Sequence, residues 1–347
     1  MGNTNNFAIP YPEVTDYVTD GATAMETIAE YTDSALQANY ASPVLINGGM
    51  DIWQRGTSSQ TSTTTYNTST SYRADRWFVL PAGASVTQQQ STTIPPNNLS
   101  RYSLLVTGAS SATTVKIGQR VEAANIPQIR RRVTFAAWIY NETGASFQPD
   151  LLIGTPSASD NFTTVNNRLT QQLIPCANNE WTQISYTVDI SGYTNLVNGL
   201  QVEIQIPSGS MNANTKKVYV TQVRLTPSEY VVPFQRLGFD LEIERCKRYF
   251  RTSTNDHLVG VAVSSSAVNR IGTTFYPALR ATPSTPATFS SLAFDSGLFS
   301  ITSGTWYLSP TSFEFDANIT SGSTAAGRCV IVYIGSNADV ISLNAEL

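Results

Sequence analysis

His257, in the run Asn255-Asp256-His257-Leu258, is the only histidine in 347 residues. Any Ser-His-Asp relay would have to use it as base. No G-x-S-x-G elbow accompanies it, and a turn or surface histidine entering a strand accounts for it. One imidazole also rules out a histidine-rich metal site. Cys176, Cys246 and Cys329 lie far apart and in no CxxC spacing. A disulfide framework or zinc site needs pairs or clusters, so these three read as buried small hydrophobes or free thiols. That suits assembly in a reducing cytoplasm. Asp and Glu together number 25, so a glycosidase-type carboxylate pair is available by arithmetic. None stands in a recognisable motif, there is no internal repeat, and no stretch has the dense Asp/Asn/Gly spacing of a calcium loop. The expectation is a chain that binds rather than catalyses, with no metal and no cofactor.

Aromatic side chains are the better chemical candidates. The chain has 5 Trp and 16 Tyr at only 13% charged residues. Aromatic faces stack on the apolar faces of sugar rings, while Asn, Gln and Arg satisfy hydroxyl groups. In the run Val133–Asn141, Trp138 and Tyr140 share one face, opposite Phe135, Ala137 and Ile139. If the odd positions are the core, Trp138 and Tyr140 face outward or line a groove. The alternative buries both, because sandwiches bury aromatics freely. Trp181 and Tyr186 fall on opposite faces of a second strand. Trp138, Tyr140 and Tyr186 are therefore the candidate glycan-binding residues.

Strands must position these residues. The charged fraction is well below the roughly 25% of an average soluble protein; Thr, Ser, Asn and Gln replace it. Thr-rich, uncharged sequence with short apolar runs favours strands, because β-branched side chains fit a pleated surface. A net charge of −4 argues against nucleic-acid binding, which needs a cationic surface to displace counterions. The basic run Arg130-Arg131-Arg132 reads as a solvated edge or a subunit contact. No stretch approaches the ~18 apolar residues of a membrane span, and the opening residues lack the basic and apolar parts of a secretion signal.

Three regions follow. Residues 1–42 hold one short helix, with a capping box at Thr23-Ala24-Met25-Glu26 and Met25, Ile28 and Leu36 on a narrow apolar stripe. Such a helix is marginal alone and must pack on its own domain or on copies of itself. Residues 43–238 carry many short alternating runs, with Leu200, Val202, Ile204 and Ile206 on one face. In the run 217–225, Val218 and Val220 alternate with Tyr219, Thr221, Val223 and Leu225. Evenly spaced strands with turn signals imply a jelly-roll β-sandwich. The Thr/Ser tract 56–71 reads as a surface loop. Residues 239–347 begin with a helix-like linker, in which Leu241, Cys246 and Tyr249 could share a face. They continue as a smaller β-sandwich. The fold class is thus mostly β with an N-terminal helix.

Two phrases carry a family resemblance: Asn47-Gly48-Gly49-Met50-Asp51-Ile52-Trp53-Gln54-Arg55-Gly56-Thr57, and Ala74-Asp75-Arg76-Trp77 about twenty residues on. With Ile117–Glu122, Thr134–Ile139, Pro233-Phe234-Gln235-Arg236, Glu244–Phe250 and the ending Ser342–Leu347, they resemble a module of phage tail and fibre proteins. The resemblance implies a jelly roll like a carbohydrate-binding module, carried in trimeric virion appendages. Trp53, Arg55, Asp75, Arg76 and Trp77 carry the resemblance; a ligand role is open to them, but the expectation is a structural one, with Asp75 and Arg55 or Arg76 pinning the N-terminal strand and Trp53 and Trp77 packing beneath. It implies a virion protein assembled in the host cytoplasm. Residues 1–42 would attach to other virion proteins and the chain would be a homotrimer. The β modules would meet host-surface polysaccharide, without membrane insertion. An architectural head fibre, capsid decoration or collar adaptor without a receptor is the alternative.

Overall fold

The computed structural model describes residues 2–3, 10–11, 17, 21–40, 44–66, 70–129, 131–253, 257–264, 266–283, 291–294, 297–319, 329–334 and 341–347. The chain forms two compact units, residues 1–238 with Leu347, and residues 239–346.

The first unit opens with a short antiparallel pair, β1 (Gly2–Asn3) and β2 (Pro10–Tyr11), and the helix α1 (Gly21–Tyr40). Thr23 lies inside the first turn rather than at a cap, and its carbonyl accepts the Thr27 hydroxyl at 2.7 Å. On α1, Ala24 is buried, Ile28 is half-buried and Met25 is 69% exposed. The side chain of Leu36 lies outside the described residues. The Tyr31 ring stacks on Tyr230 with centroids 4.9 Å apart, and the Tyr230 hydroxyl donates to Glu30. This contact sets α1 against the loop that follows the last strand of the unit.

The sandwich is built from β3 (Gln60–Ser62), β4 (Phe78–Pro81), β5 (Val86–Ser91), β6 (Ser103–Thr107), β7 (Val115–Glu122), β8 (Arg132–Glu142), β9 (Asp150–Ala158), β10 (Asn161–Gln172), β11 (Trp181–Asp189), β12 (Gly199–Ile206) and β13 (Lys217–Thr226). The back sheet runs β10-β9-β12-β7-β4 and the front sheet β11-β8-β13-β6-β5-β3. Alternation explains both inner faces. Val133, Phe135, Ala137 and Ile139 of β8 face Leu200, Val202, Ile204 and Ile206 of β12 in one core, as a sheet with one packed face requires. The Thr/Ser tract is not wholly loop, since β3 within it pairs with β5 as an edge strand.

One expectation is corrected on β13. Val218, Val220, Val223 and Leu225 all face the core, although regular alternation would put the last two outside. The register with β8 shifts between Thr221 and Arg224, and Gln222 takes a left-handed φ of 53°. This bulge adds a residue and resets which face the strand presents. Two contacts hold it. Gln222 and Asn97 exchange side-chain hydrogen bonds at 2.9 and 2.7 Å. Val223 donates its N–H to the Gly48 carbonyl at 3.0 Å.

The second unit starts with α2 (Phe239–Lys247), then β14 (Phe250–Ser253), which pairs with β21 (Ile341–Asn344). Leu241 is 57% exposed while Cys246 and Tyr249 are buried. Five helical steps turn Leu241 well off the face of Cys246, so the three do not form one stripe. The remaining strands are β15 (His257–Ser264), β16 (Ala267–Thr274), β17 (Ser291–Phe294), β18 (Gly297–Leu308), β19 (Ser312–Ile319) and β20 (Cys329–Ile334). The small sandwich read from the sequence is realised as a closed barrel, β15-β16-β19-β18-β17-β20. Closure leaves none of these six described strands as an edge. Phe313, Phe315 and Ala317 of β19 join Leu258, Val268 and Ile271 in its core.

Candidate functional site

The outer face of the front sheet gathers a group of half-buried and buried aromatics. On β8, the residues alternating with the core set are Trp138, Tyr140 and Glu142, all half-buried. Register then brings partners from neighbouring strands. Tyr140 lies opposite Trp181 of β11 and opposite Tyr219 of β13. The Tyr140 ring is 5.5 Å from Trp181 at 45° and 5.4 Å from Tyr219 at 75°. The row continues through Leu105 of β6 to Gln89 of β5. Beside it, Trp138 lies opposite Gln183 and Thr221.

Polar groups of two kinds surround these rings. The first kind is already engaged. The Tyr219 hydroxyl donates to Glu142 at 2.8 Å, and Lys217 Nζ approaches the other Glu142 oxygen at 3.2 Å. Burial, then the Glu142 carboxylate, push the Tyr219 phenol well above its ordinary pKa. The second kind is uncommitted. The Tyr140 hydroxyl, the indole N–H groups of Trp138 and Trp181 and the Gln183 carboxamide make no hydrogen bond among the described residues. Rings with free, uncharged donors and acceptors at their margins suit a ligand with an apolar face and hydroxyl edges.

Among the three residues picked from sequence, the structure brings together Trp138 and Tyr140 but not Tyr186. Tyr186 lies opposite Phe135 and packs against the core. Its position on β11 is five residues from Trp181, an odd step that puts it on the other side of the sheet. Trp181 takes its place on the outer face. Sequence reasoning passed over Tyr219, Gln183 and Glu142. Their faces follow from alternation, but their adjacency to Tyr140 follows only from register.

The outer face of the back sheet is arranged differently. The Arg120 guanidinium lies 4.0 Å from the Tyr66 ring centre, 5.2 Å from Phe162 and 5.5 Å from Phe78. Its Nε donates to Gln201 at 2.9 Å. Arg120, Gln201 and Glu203 are each less than a tenth exposed, so the molecule's own side chains fill the middle of this face.

The motif residues form a buried knot. All four hydrogen bonds of the Asn47 carboxamide are made. Its nitrogen donates to the carbonyls of Ile52 and Asp75 at 2.9 and 3.0 Å, and its oxygen accepts from the N–H groups of Asp51 and Ile52 at 2.8 and 3.0 Å. Asp75 accepts from Gln54 through backbone and side chain, and lies 3.7 Å from Arg55. Arg76, at a left-handed φ of 73°, reaches the Arg120 carbonyl at 2.5 Å. Trp77 donates its indole N–H to the Asn47 carbonyl at 2.9 Å, and Trp53 to that of Met50 at 2.6 Å. Arg236 closes the knot from the far end of the unit with a two-pronged pair to Asp51 at 2.8 and 3.1 Å.

In the barrel unit, an open cleft of about 500 Å³ is lined by Tyr307, Ser309, Ser312, Glu314 and Asp316. The side chains of His257 and Cys329, and all of Arg130, lie outside the described residues. Cys176 and Cys246 are both buried.

No protein-family model and no curated protein matches the chain. Solved structures show a loose likeness. An enzymatically active domain of bacteriophage CBA120 tailspike protein 4 aligns at 13% identity and a TM-score of 0.33, over 53% of this chain and 21% of that one. The CBM22-2 xylan-binding domain of Paenibacillus barcinonensis Xyn10C aligns at 17% identity and 0.32, over 44% and 91%. The family 11 carbohydrate-binding module of Clostridium thermocellum aligns at 12% and 0.30, over 50% and 98%. The chain spans about a fifth of the tailspike structure. Likeness at this level leaves the site to be judged on its own geometry.

Proposed function

We propose that this chain is a non-enzymatic structural component of a bacteriophage virion, a tail fibre or receptor-binding appendage. It holds host-surface glycan on the outer face of its front sheet. The observation that carries the binding part is the aromatic group of Trp138, Tyr140, Trp181 and Tyr219, with its uncommitted hydroxyl, indole and carboxamide groups. The support for the virion setting is the resemblance of the residues around Trp53 and Trp77 to phage tail and fibre modules. In this reading residues 1–42 attach to other virion proteins and three copies associate. A single shallow platform binds weakly, and many copies per particle multiply that affinity.

The test is binding of the full chain to host cells and to a glycan array, beside a variant carrying Trp138→Ala and Trp181→Ala. Both residues are half-buried on the outer face, and aromatic anchors dominate such contacts. The variant is expected to keep its melting temperature within a few degrees and to lose about tenfold or more in affinity. Undiminished binding would remove the glycan site from this face. Absence of glycan binding by the parent chain would favour an architectural decoration protein.

A further inference from the structure

We infer that Glu142 makes the platform selective for uncharged glycan and turns away chains bearing carboxylates; this rests on the glycan reading above. The platform's uncommitted polar groups, on Trp138, Tyr140, Trp181 and Gln183, are all neutral. Among the described residues the cation beside them is Lys217, bound to Glu142 at 3.2 Å across a directly paired position of β8 and β13. Glu142 is held from the other side by the Tyr219 hydroxyl at 2.8 Å, so it cannot swing away without breaking a second bond. A ligand carboxylate would have to displace Glu142 from Lys217 or lie beside a negative charge. Exposed Glu180, next to Trp181 in the chain, makes no ion pair among the described residues and adds a further negative charge.

Two other described arginines of this face are engaged. Arg132 pairs with Glu229 at 3.1 Å. Arg224 is buried, donating to the carbonyls of Val232 and Gln222 at 2.8 and 3.1 Å. A hydroxyl, by contrast, needs only neutral donors and acceptors. Glu142 therefore acts as a specificity residue with the carboxylate itself as the repelling element.

The experiment titrates the full chain with immobilised hexose oligosaccharides and with hexuronic acid oligosaccharides of the same length and linkage. The parent chain is expected to favour the neutral series by about five- to tenfold, the scale of one like-charge contact near water. Glu142→Gln, which frees Lys217 and still offers Tyr219 an acceptor, is expected to shrink that ratio to about twofold or less. Adding Lys217→Met to it removes the freed cation and should still leave the ratio below that of the parent chain, because the repelling carboxylate is gone. Equal binding of both series by the parent chain, or a ratio unmoved by Glu142→Gln, overturns the inference and leaves the platform standing. Binding of neither series removes the platform and this inference together.

Discussion

Asp75 is 1% exposed and the Arg55 side chain 5%, so the charge at the centre of the knot has little solvent to fall back on. Removing one partner of a buried pair leaves the other uncompensated, which costs about 3–5 kcal/mol. Asp75→Ala is expected to lose that much stability in urea unfolding. Lys217→Met, in a pair 36% exposed on both sides, should lose less than about 1 kcal/mol. A second prediction concerns Cys176. Burial pushes its thiol up to about 11, against a smaller opposing effect from the Thr182 side chain. In the unfolded chain the thiol titrates near its ordinary value of about 8.5–9. Between those values the folded state holds a proton that the unfolded state has lost, so stability falls as pH rises. Unfolding free energies from pH 8 to 11 should decline more steeply for the parent than for Cys176→Ala, by about 2–3 kcal/mol over the window. The residues of the knot were legible in sequence as a motif. Their particular bonds were not, because Asn47, Gln119 and Arg236 meet only after folding: Gln119 alone bridges to Ile46 across 73 positions.

At the scale of elements, the even and odd positions of β8 foretold its two faces, because nothing interrupts that strand's pleat. β13 defeated the same reasoning. Its bulge depends on Asn97 and Gly48, both more than 100 residues away in sequence. Gly48 itself is dictated by this contact, since a Cβ there would lie 2.0 Å from the Val223 carbonyl oxygen. Deleting Gln222 removes the extra residue, so regular alternation still keeps Val223 and Leu225 on the core side with Val220. Inserting one residue after Gln222 should instead be severe, because with the bulge kept it would turn Val223 and Leu225, each 1% exposed, out to solvent. The expected cost of that insertion is about 3–6 kcal/mol for two buried side chains. Asn97→Ala, which removes only the clamp, should cost about 1–2 kcal/mol by the same unfolding measurement. Tyr186 depends on pairing in the same way. The sequence puts it opposite Trp181 across the strand, and only its register against Phe135 shows that its side is the core.

For the molecule as a whole, composition and spacing made the two runs of strands and the N-terminal helix legible. The closure of β15 to β20 into a barrel was not, because pairing between β15 and β20 spans over 60 residues. The proposed virion role makes residues 1–42 dispensable for binding and required for attachment. A chain lacking them should bind glycan as the parent does but fail to join particles, as scored by incorporation during phage assembly. Normal incorporation would remove the attachment role. The central claim, that the outer face of the front sheet is where ligand lands, is open to a direct reading. The chain has 5 tryptophans, and the indole N–H of Trp53 and Trp77 is already hydrogen-bonded inside the knot. Titrating a neutral oligosaccharide while watching the tryptophan indole resonances by NMR is predicted to move Trp138 and Trp181 together and leave Trp53 and Trp77 in place. Stationary Trp138 and Trp181 signals at saturating ligand, with shifts elsewhere, would contradict it.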